Sequence, residues 1–200
     1  ARAVAENADA EFTEILEQEE AMKAAMAEAE KLIEIAQRED EWSNVPYDIT
    51  SFVNNPSFEN GNLSGWSTNG FQIQNNDKYP GQKDGTWYCE QWVAKGTNMP
   101  ASSVFQILED LPNGKYEVRM NAGIRMQSAT GGEDELGSGL YVTANNSSVH
   151  VDQILSEYTV FAGVMDHKLK FGVEAKDAVG NHAYIDNVRV IYHGGDLAAY

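Results

Sequence analysis

The sequence predicts a mainly β protein, a jelly-roll-like antiparallel β-sandwich preceded by an N-terminal α-helical segment. Residues 1–42 contain neither Gly nor Pro and place apolar residues at helical spacing. The following residues form short runs in which apolar and polar side chains alternate, separated by Gly, Asn and Pro, as in an all-β fold. We therefore expect an acidic amphipathic helical segment over 1–42 and a β-sandwich over 43–200, with one sizeable core.

The helical segment is strongly acidic, with 13 acidic and 4 basic side chains in its 42 residues. Glu19 with Lys23 and Glu34 with Arg38 have the i,i+4 charge order that supports a helix. Its apolar stripe is thin and consists of Phe12, Ile15, Leu16, Met22, Met26, Ala29, Leu32, Ile33 and Ala36. The pattern fits a solvated acidic spacer, or a surface that packs on the sandwich, on a second copy or on an adjacent domain.

The clearest strand covers residues 115–126, after a Leu-Pro-Asn-Gly turn at 111–114. One of its faces is predicted to join the core: Tyr116, Val118, Met120, Ala122, Ile124 and Met126. The opposite face carries Glu117, Arg119, Asn121 and Arg125. Residues 140–144 and 169–173 alternate in the same way and predict two more strands that bury one face.

Composition excludes several classes of function. A formal charge of −17 opposes binding to nucleic acid and to anionic membranes, and leaves cations and neutral molecules as ligands. The single cysteine, Cys89, excludes an intramolecular disulfide and a cysteine-based zinc site. Nucleophile-elbow and zinc-protease motifs are absent, so we expect no enzymatic activity in this chain.

Three motifs carry a family resemblance. Asn-Pro-Ser-Phe-Glu-Asn-Gly at 55–61 is followed by Gly65-Trp66; Leu-Pro-Asn-Gly-Lys-Tyr lies at 111–116; and Tyr-Ile-Asp-Asn-Val lies at 184–188. Together they resemble galactose-binding-like carbohydrate-binding modules, in a version common in Bacteroidetes, over about residues 47–193. The resemblance implies a non-catalytic module that tethers a larger secreted, periplasmic or cell-surface glycan-processing protein to polysaccharide.

The resemblance also implies a structural calcium ion, held by Glu59, Asp186 and the carbonyl of Gly61. Strict alternation places Asp186 on the same face as Tyr184, Val188 and Val190, pointing toward the core, where an ionised carboxylate needs a cation or several donors. The alternative is that Asp186 accepts backbone N–H bonds and Glu59 caps a turn.

Sugar sites in water combine an aromatic face with polar groups that reach hydroxyls. The strand predicted at 86–92 directs Trp87 and Cys89 toward the core and its alternate residues outward. The candidate carbohydrate-binding residues are Tyr88, Glu90, Trp92, Arg119, Asn121 and Arg125. Two alternatives remain: the aromatic side chains cover the end of the core while the charged ones are solvated, or the chain is an assembly module that binds a protein partner through its helix.

Overall fold

The computed structural model describes the backbone of residues 2–195 and the side chains of residues 12–195. The chain divides into two compact units, Ala1–Glu41 and Trp42–Tyr200. We call them the helical unit and the sandwich unit and describe each by itself.

The helical unit is one α-helix, α1 (Arg2–Glu41). The predicted charge pairs form: Lys23 Nζ lies 2.8 Å from Glu19 Oε1, and Arg38 Nη2 lies 3.8 Å from Glu34 Oε2. The large apolar side chains of the stripe are exposed from Phe12 to Ile33. Within the described residues, we find no helix with the length and apolar character needed to cross a membrane.

The sandwich unit consists of two antiparallel sheets, which confirms the predicted mainly β fold. The first sheet contains, in spatial order, β10 (Ser156–Val164), β6 (Gly114–Met126), β12 (His182–Tyr192), β4 (Tyr88–Trp92) and β3 (Gln72–Gln74), with β1 (Tyr47–Asp48) beside β12 and β7 (Glu135–Leu136) beside β6. The second sheet contains β2 (Ser67–Asn69), β5 (Ser102–Leu108), β11 (Leu169–Val179), β8 (Ser138–Ala144) and β9 (Ser147–His150).

The core lies between the facing sides of the two sheets. Alternate residues of β6 from Tyr116 to Ile124 are buried in it, as predicted, whereas Met126 at the strand end is only partly buried. The alternating residues of β8 and β11 are buried in the same cluster. On β4, Cys89 joins the core, and its neighbours Tyr88 and Glu90 therefore point to the outer side of the first sheet.

The prediction that Asp186 points toward the core was wrong, because β12 contains a bulge. Its register with β6 shifts by one residue within 186–189, and Asn187 has a positive φ of 50°. One extra residue exchanges the two faces of a strand. Tyr184 and Asp186 therefore lie on the outer side of the sheet, while the residues of β12 that enter the core are Ala183, Ile185, Val188, Val190 and Tyr192.

Candidate functional site

A cleft of about 700 Å³ opens on the outer side of the first sheet. Strands β3, β4 and β6 form its floor, and the segment 76–80 forms one wall. Its lining residues are Gln72, Gln74, Asn76, Asp77, Lys78, Tyr79, Pro80, Glu90, Trp92, Lys95, Arg125, Gln127 and Asp134.

Glu90 is buried in the floor of this cleft, with both carboxylate oxygens engaged. Its Oε1 accepts hydrogen bonds from the side-chain amides of Gln72 and Gln74, each at 3.2 Å. Its Oε2 lies 2.8 Å from His182 Nε2 and 3.2 Å from the hydroxyl of Tyr88. Burial acts to raise the Glu90 pKa, but the bonds from His182 and the two amides outweigh it, so the pKa is lowered and Glu90 stays ionised.

His182 connects Glu90 to Arg125. Its Nδ1 lies 3.2 Å from Arg125 Nε and 3.1 Å from Arg125 Nη2. Because a guanidinium only donates, Nδ1 accepts and the proton of the neutral ring lies on Nε2, facing Glu90. Burial lowers the His182 pKa, and the nearby charge of Arg125 adds to this effect although Glu90 opposes it. The three hydrogen-bonded, buried side chains of Glu90, His182 and Arg125 therefore carry one negative and one positive charge, with a neutral imidazole between them.

Further hydrogen bonds fix Arg125 in the floor of the cleft. Its Nη1 lies 2.7 Å from Asp134 Oδ2, and its Nη2 donates to the carbonyl of Lys78. Asp134 also accepts the backbone N–H of Ser128 at 2.9 Å, so the segment after β6 is held against the guanidinium. The guanidinium is thus positioned before any ligand arrives.

Trp92 provides the exposed aromatic surface of the cleft, with 49% of the residue accessible. Its indole N–H donates to Gln127 Oε1 at 2.8 Å, and Asn181 Nδ2 donates to the same oxygen at 3.1 Å. The ring orientation is therefore fixed from the buried side. Beside it, the buried rings of Tyr79 and Tyr88 pack with centroids 5.0 Å apart.

The predicted carbohydrate-binding residues divide into three groups. Glu90, Trp92 and Arg125 line the cleft, and Tyr88 is fully buried beneath it. The remaining two, Arg119 and Asn121, are absent from the lining, and the Arg119 side chain pairs with Glu117. They lie on the same strand face as Arg125 but are separated from it by Gly123, over which the Ile154 carbonyl and the Tyr184 ring pack.

Several cleft residues were not predicted from the sequence. Gln72 and Gln74 lie on a strand of three residues, too short to show a period. His182 begins β12, and Gln127 follows the last residue of β6. Strand parity places His182 on the same face as Tyr184, which is the one signal that would have indicated its position.

Two of the predicted calcium ligands, Glu59 and Asp186, accept hydrogen bonds from backbone N–H groups, as expected in the alternative interpretation without a metal ion. Both oxygens of Glu59 accept the Thr86 N–H at 2.9 Å, and Oε1 also accepts the Trp87 N–H at 2.7 Å. Asp186 accepts the Asp84 N–H at 2.9 Å. Gly61 has a φ of 66° and lies against the Trp87 indole. Within residues 12–195, no three or more His, Cys, Asp or Glu side chains group as metal ligands.

The charge of Asp186 is nevertheless poorly compensated. Burial raises its pKa to about 7, and the nearby carboxylates of Asp84 and Glu59 add to the rise despite the backbone hydrogen bonds. The buried hydroxyl of Tyr79 has no hydrogen-bond partner among the described residues, and burial, followed by the charge of Asp186, raises its pKa. An oxygen-lined region with excess negative charge has the chemistry that a hard cation prefers, so these residues fit calcium in donor type.

Comparison with known proteins bears on the fold. No protein-family model matches the sequence, and no curated protein matches it. Among solved structures, the carbohydrate-binding module TmCBM61 in complex with β-1,4-galactotriose is 19% identical, with a TM-score of 0.53 over 71% of this chain and 98% of the module. A cyclase from Fischerella sp. TAU is 14% identical, with a TM-score of 0.52 over 75% of this chain and 98% of the cyclase. The structural neighbours thus include carbohydrate-binding modules and cyclases, and at these identities the similarity is one of fold.

Proposed function

We propose that the sandwich unit is a non-catalytic carbohydrate-binding module that binds an uncharged oligosaccharide in the cleft. The observation that carries this proposal is the half-exposed indole of Trp92, held beside polar groups that are already fixed. An aromatic face covers the C–H side of a pyranose, while amides and a guanidinium meet its hydroxyls. Gln72 is exposed in the lining and is positioned for the second role, together with the hydrogen-bonding capacity that Gln127 and Arg125 keep beyond their protein partners.

The charge of the cleft supports a neutral ligand. Its lining contains three acidic and three basic side chains, although the whole chain has a formal charge of −17. Arg125 is paired with Asp134, Lys78 Nζ lies 3.7 Å from Asp77 Oδ1, and Lys95 donates to a backbone carbonyl. An acidic glycan would therefore meet cations that already have partners.

The same hydrogen bonds argue against catalysis. Glu90 and His182 are an acid–base pair next to the cleft, but both are buried, and their polar atoms are occupied by protein partners. A general acid or base must reach the proton it transfers, at about 3 Å. We therefore propose that this chain makes and breaks no bond, and that the cyclases share only its sandwich fold.

Tethering and location are part of the same proposal. A cleft of this kind binds weakly, because ordering a flexible glycan opposes stacking and a few hydroxyl bonds. Useful affinity then comes from attachment to a larger glycan-processing protein, which raises the effective concentration of the sugar. Contact with polysaccharide requires a secreted, periplasmic or cell-surface location.

A glycan-array screen followed by calorimetry with the best neutral oligosaccharide tests sugar binding. We expect Trp92→Ala to reduce affinity at least about tenfold, since loss of a stacking ring costs on the order of 1.4 kcal/mol or more. Phe161→Ala and Arg119→Ala are matched controls, because both residues lie on the first sheet outside the cleft. Binding restricted to acidic glycans, or lost equally in the controls, contradicts the assignment, as does no binding by folded protein.

We also propose a structural calcium ion near Asp186, supported by the raised pKa of its buried carboxylate. Glu59 and the carbonyl of Gly61 are the other candidate ligands. Bound calcium would neutralise this acidic region and hold the 55–61 segment to β12. Thermal unfolding in millimolar calcium and in EDTA tests it: we expect a higher Tm with calcium in the wild type and no difference in Asp186→Asn. Equal melting temperatures for the wild type reject the site.

A further inference from the structure

The apolar stripe of α1 follows a heptad repeat. With Phe12 at position a and Ile15 at position d, the repeat continues without interruption to residue 36. The a and d residues are Phe12, Ile15, Glu19, Met22, Met26, Ala29, Ile33 and Ala36, of which all but Glu19 are apolar. Apolar residues at a and d are the seam along which two helices pair in a coiled coil. We call this set the α1 seam.

The α1 seam is uncovered. Phe12, Ile15, Met22, Met26 and Ile33 are each more than half exposed. The two alanines of the seam are exposed as well. An apolar strip of this length, broken only at Glu19, on an otherwise acidic helix is typical of an interaction surface.

The positions of the charged residues indicate which kind of helix could pair with the α1 seam. The acidic residues concentrate at b, c and f, which point away from the seam of a coiled coil: Glu14, Glu17, Glu20, Glu28, Glu34 and Glu41. The flanking e and g positions are close to neutral: Leu16, Gln18, Lys23, Ala25, Glu30, Leu32, Gln37 and Glu39. A basic partner helix would find few carboxylates at the edges of the seam, whereas a copy of α1 meets little repulsion there.

The contacts expected between two parallel copies of α1 show how little like charges would oppose their pairing. In a parallel, in-register pair, each g residue contacts the e residue five positions later in the other helix. The contacts between 12 and 37 are then Gln18 with Lys23, Ala25 with Glu30, and Leu32 with Gln37, and none joins like charges. Glu19 is the one charged seam residue before position 40, and Lys23 of the same helix lies 2.8 Å from its carboxylate.

We propose that two copies of this chain associate through the α1 seam as a parallel, in-register, two-stranded coiled coil. Two alanines and Glu19 in the seam make the dimer weak and reversible. The outer carboxylates of the two helices repel one another at long range, so added salt strengthens the dimer by screening them. A dimer would place two clefts on one assembly, and two weak sites bind a repeating polymer more tightly than one.

Analytical ultracentrifugation of the full chain over a concentration series, at low and at high salt, tests this proposal. We expect a monomer–dimer equilibrium whose dimer fraction rises with salt. Met26→Glu at a seam position is expected to abolish the dimer. Ala24→Glu adds the same charge at the outward f position two residues away and is expected to leave it intact. Circular dichroism checks that both variants keep the helix.

Two results overturn the proposal: a wild-type chain that stays monomeric at its highest soluble concentration, or a dimer that Met26→Glu leaves unchanged. Assemblies larger than two chains also contradict it. Orientation is tested with Ala36→Cys at a d position; the native Cys89 is buried, and the wild-type chain is the control for any crosslink through it. Parallel in-register dimers crosslink through the two introduced thiols upon oxidation, whereas dimers without this disulfide contradict the parallel register.

Discussion

Replacing Glu90 with Gln tests whether the floor of the cleft is held by one ionised carboxylate. The substitution conserves shape and removes one acceptor oxygen. If the new NH₂ group replaces Oε1, it faces the side-chain amides of Gln72 and Gln74. Gln74 cannot simply turn its amide around, because its Oε1 accepts the backbone N–H groups of Asn75 and Asn76.

The other orientation of the new amide is also unfavourable. There the NH₂ group faces His182 Nε2, which carries the proton because Nδ1 accepts from Arg125. Moving that proton to Nδ1 would set it against the guanidinium. Either orientation therefore disrupts about two hydrogen bonds to a charged group, each contributing roughly 1.5–3 kcal/mol.

We expect Glu90→Gln to reduce the free energy of unfolding by about 3–6 kcal/mol, which corresponds to a Tm decrease of roughly 10 °C or more in a chain of this size. Chemical and thermal unfolding at neutral pH measure it. Glu135→Gln is the matched control, because Glu135 is exposed, and its effect should stay within about 0.5 kcal/mol. A loss below about 1 kcal/mol for Glu90→Gln would show that its carboxylate is not the acceptor on which this network depends.

Two further predictions follow from the same sheet face. Burial lowers the His182 pKa, so the unfolded chain binds a proton first below about pH 6.5 and stability falls on acidification. Burial raises the pKa of Asp186 to about 7, so between about pH 7 and 4 the folded chain binds this proton more tightly and Asp186 adds stability on acidification. Asp186→Asn should therefore make the free energy of unfolding fall more steeply with decreasing pH, as measured by urea unfolding without calcium. Equal pH dependence in the wild type and the variant contradicts this. Gly123→Ala should reduce the free energy of unfolding by about 1–3 kcal/mol and disturb the cleft, because the added methyl collides with the Ile154 carbonyl. The control Gly132→Ala should be near neutral, because its methyl meets only the Ser128 hydroxyl, at 3.4 Å.

The sandwich could be predicted because alternation reports burial directly. On β6, every second residue from Tyr116 to Ile124 enters the core, and the period of a strand admits one assignment. The same reasoning identified the outward face of β4, with Glu90 and Trp92. It could not show which outward residues meet in space, because that depends on the order of the strands in the sheet. β12 lies between β4 and β6, and only this tertiary arrangement places His182 between Glu90 and Arg125.

The bulge in β12 explains why the face of Asp186 could not be read from its neighbours. Val188 is buried in the core, and strict alternation assigns the same side to Asp186. At Asn187, which has a positive φ, the strand contains one extra residue. Val188 therefore points into the core, while Asp186 points to the outer side of the sheet, beside Asp84. Asn is among the few residue types that adopt this conformation readily, and two polar residues in the middle of a buried strand are the sequence signal for such a break. The irregularity that defeats the pattern also turns a buried acidic side chain out of the core and sets it beside a second carboxylate, as expected if departures from regular structure mark functional positions.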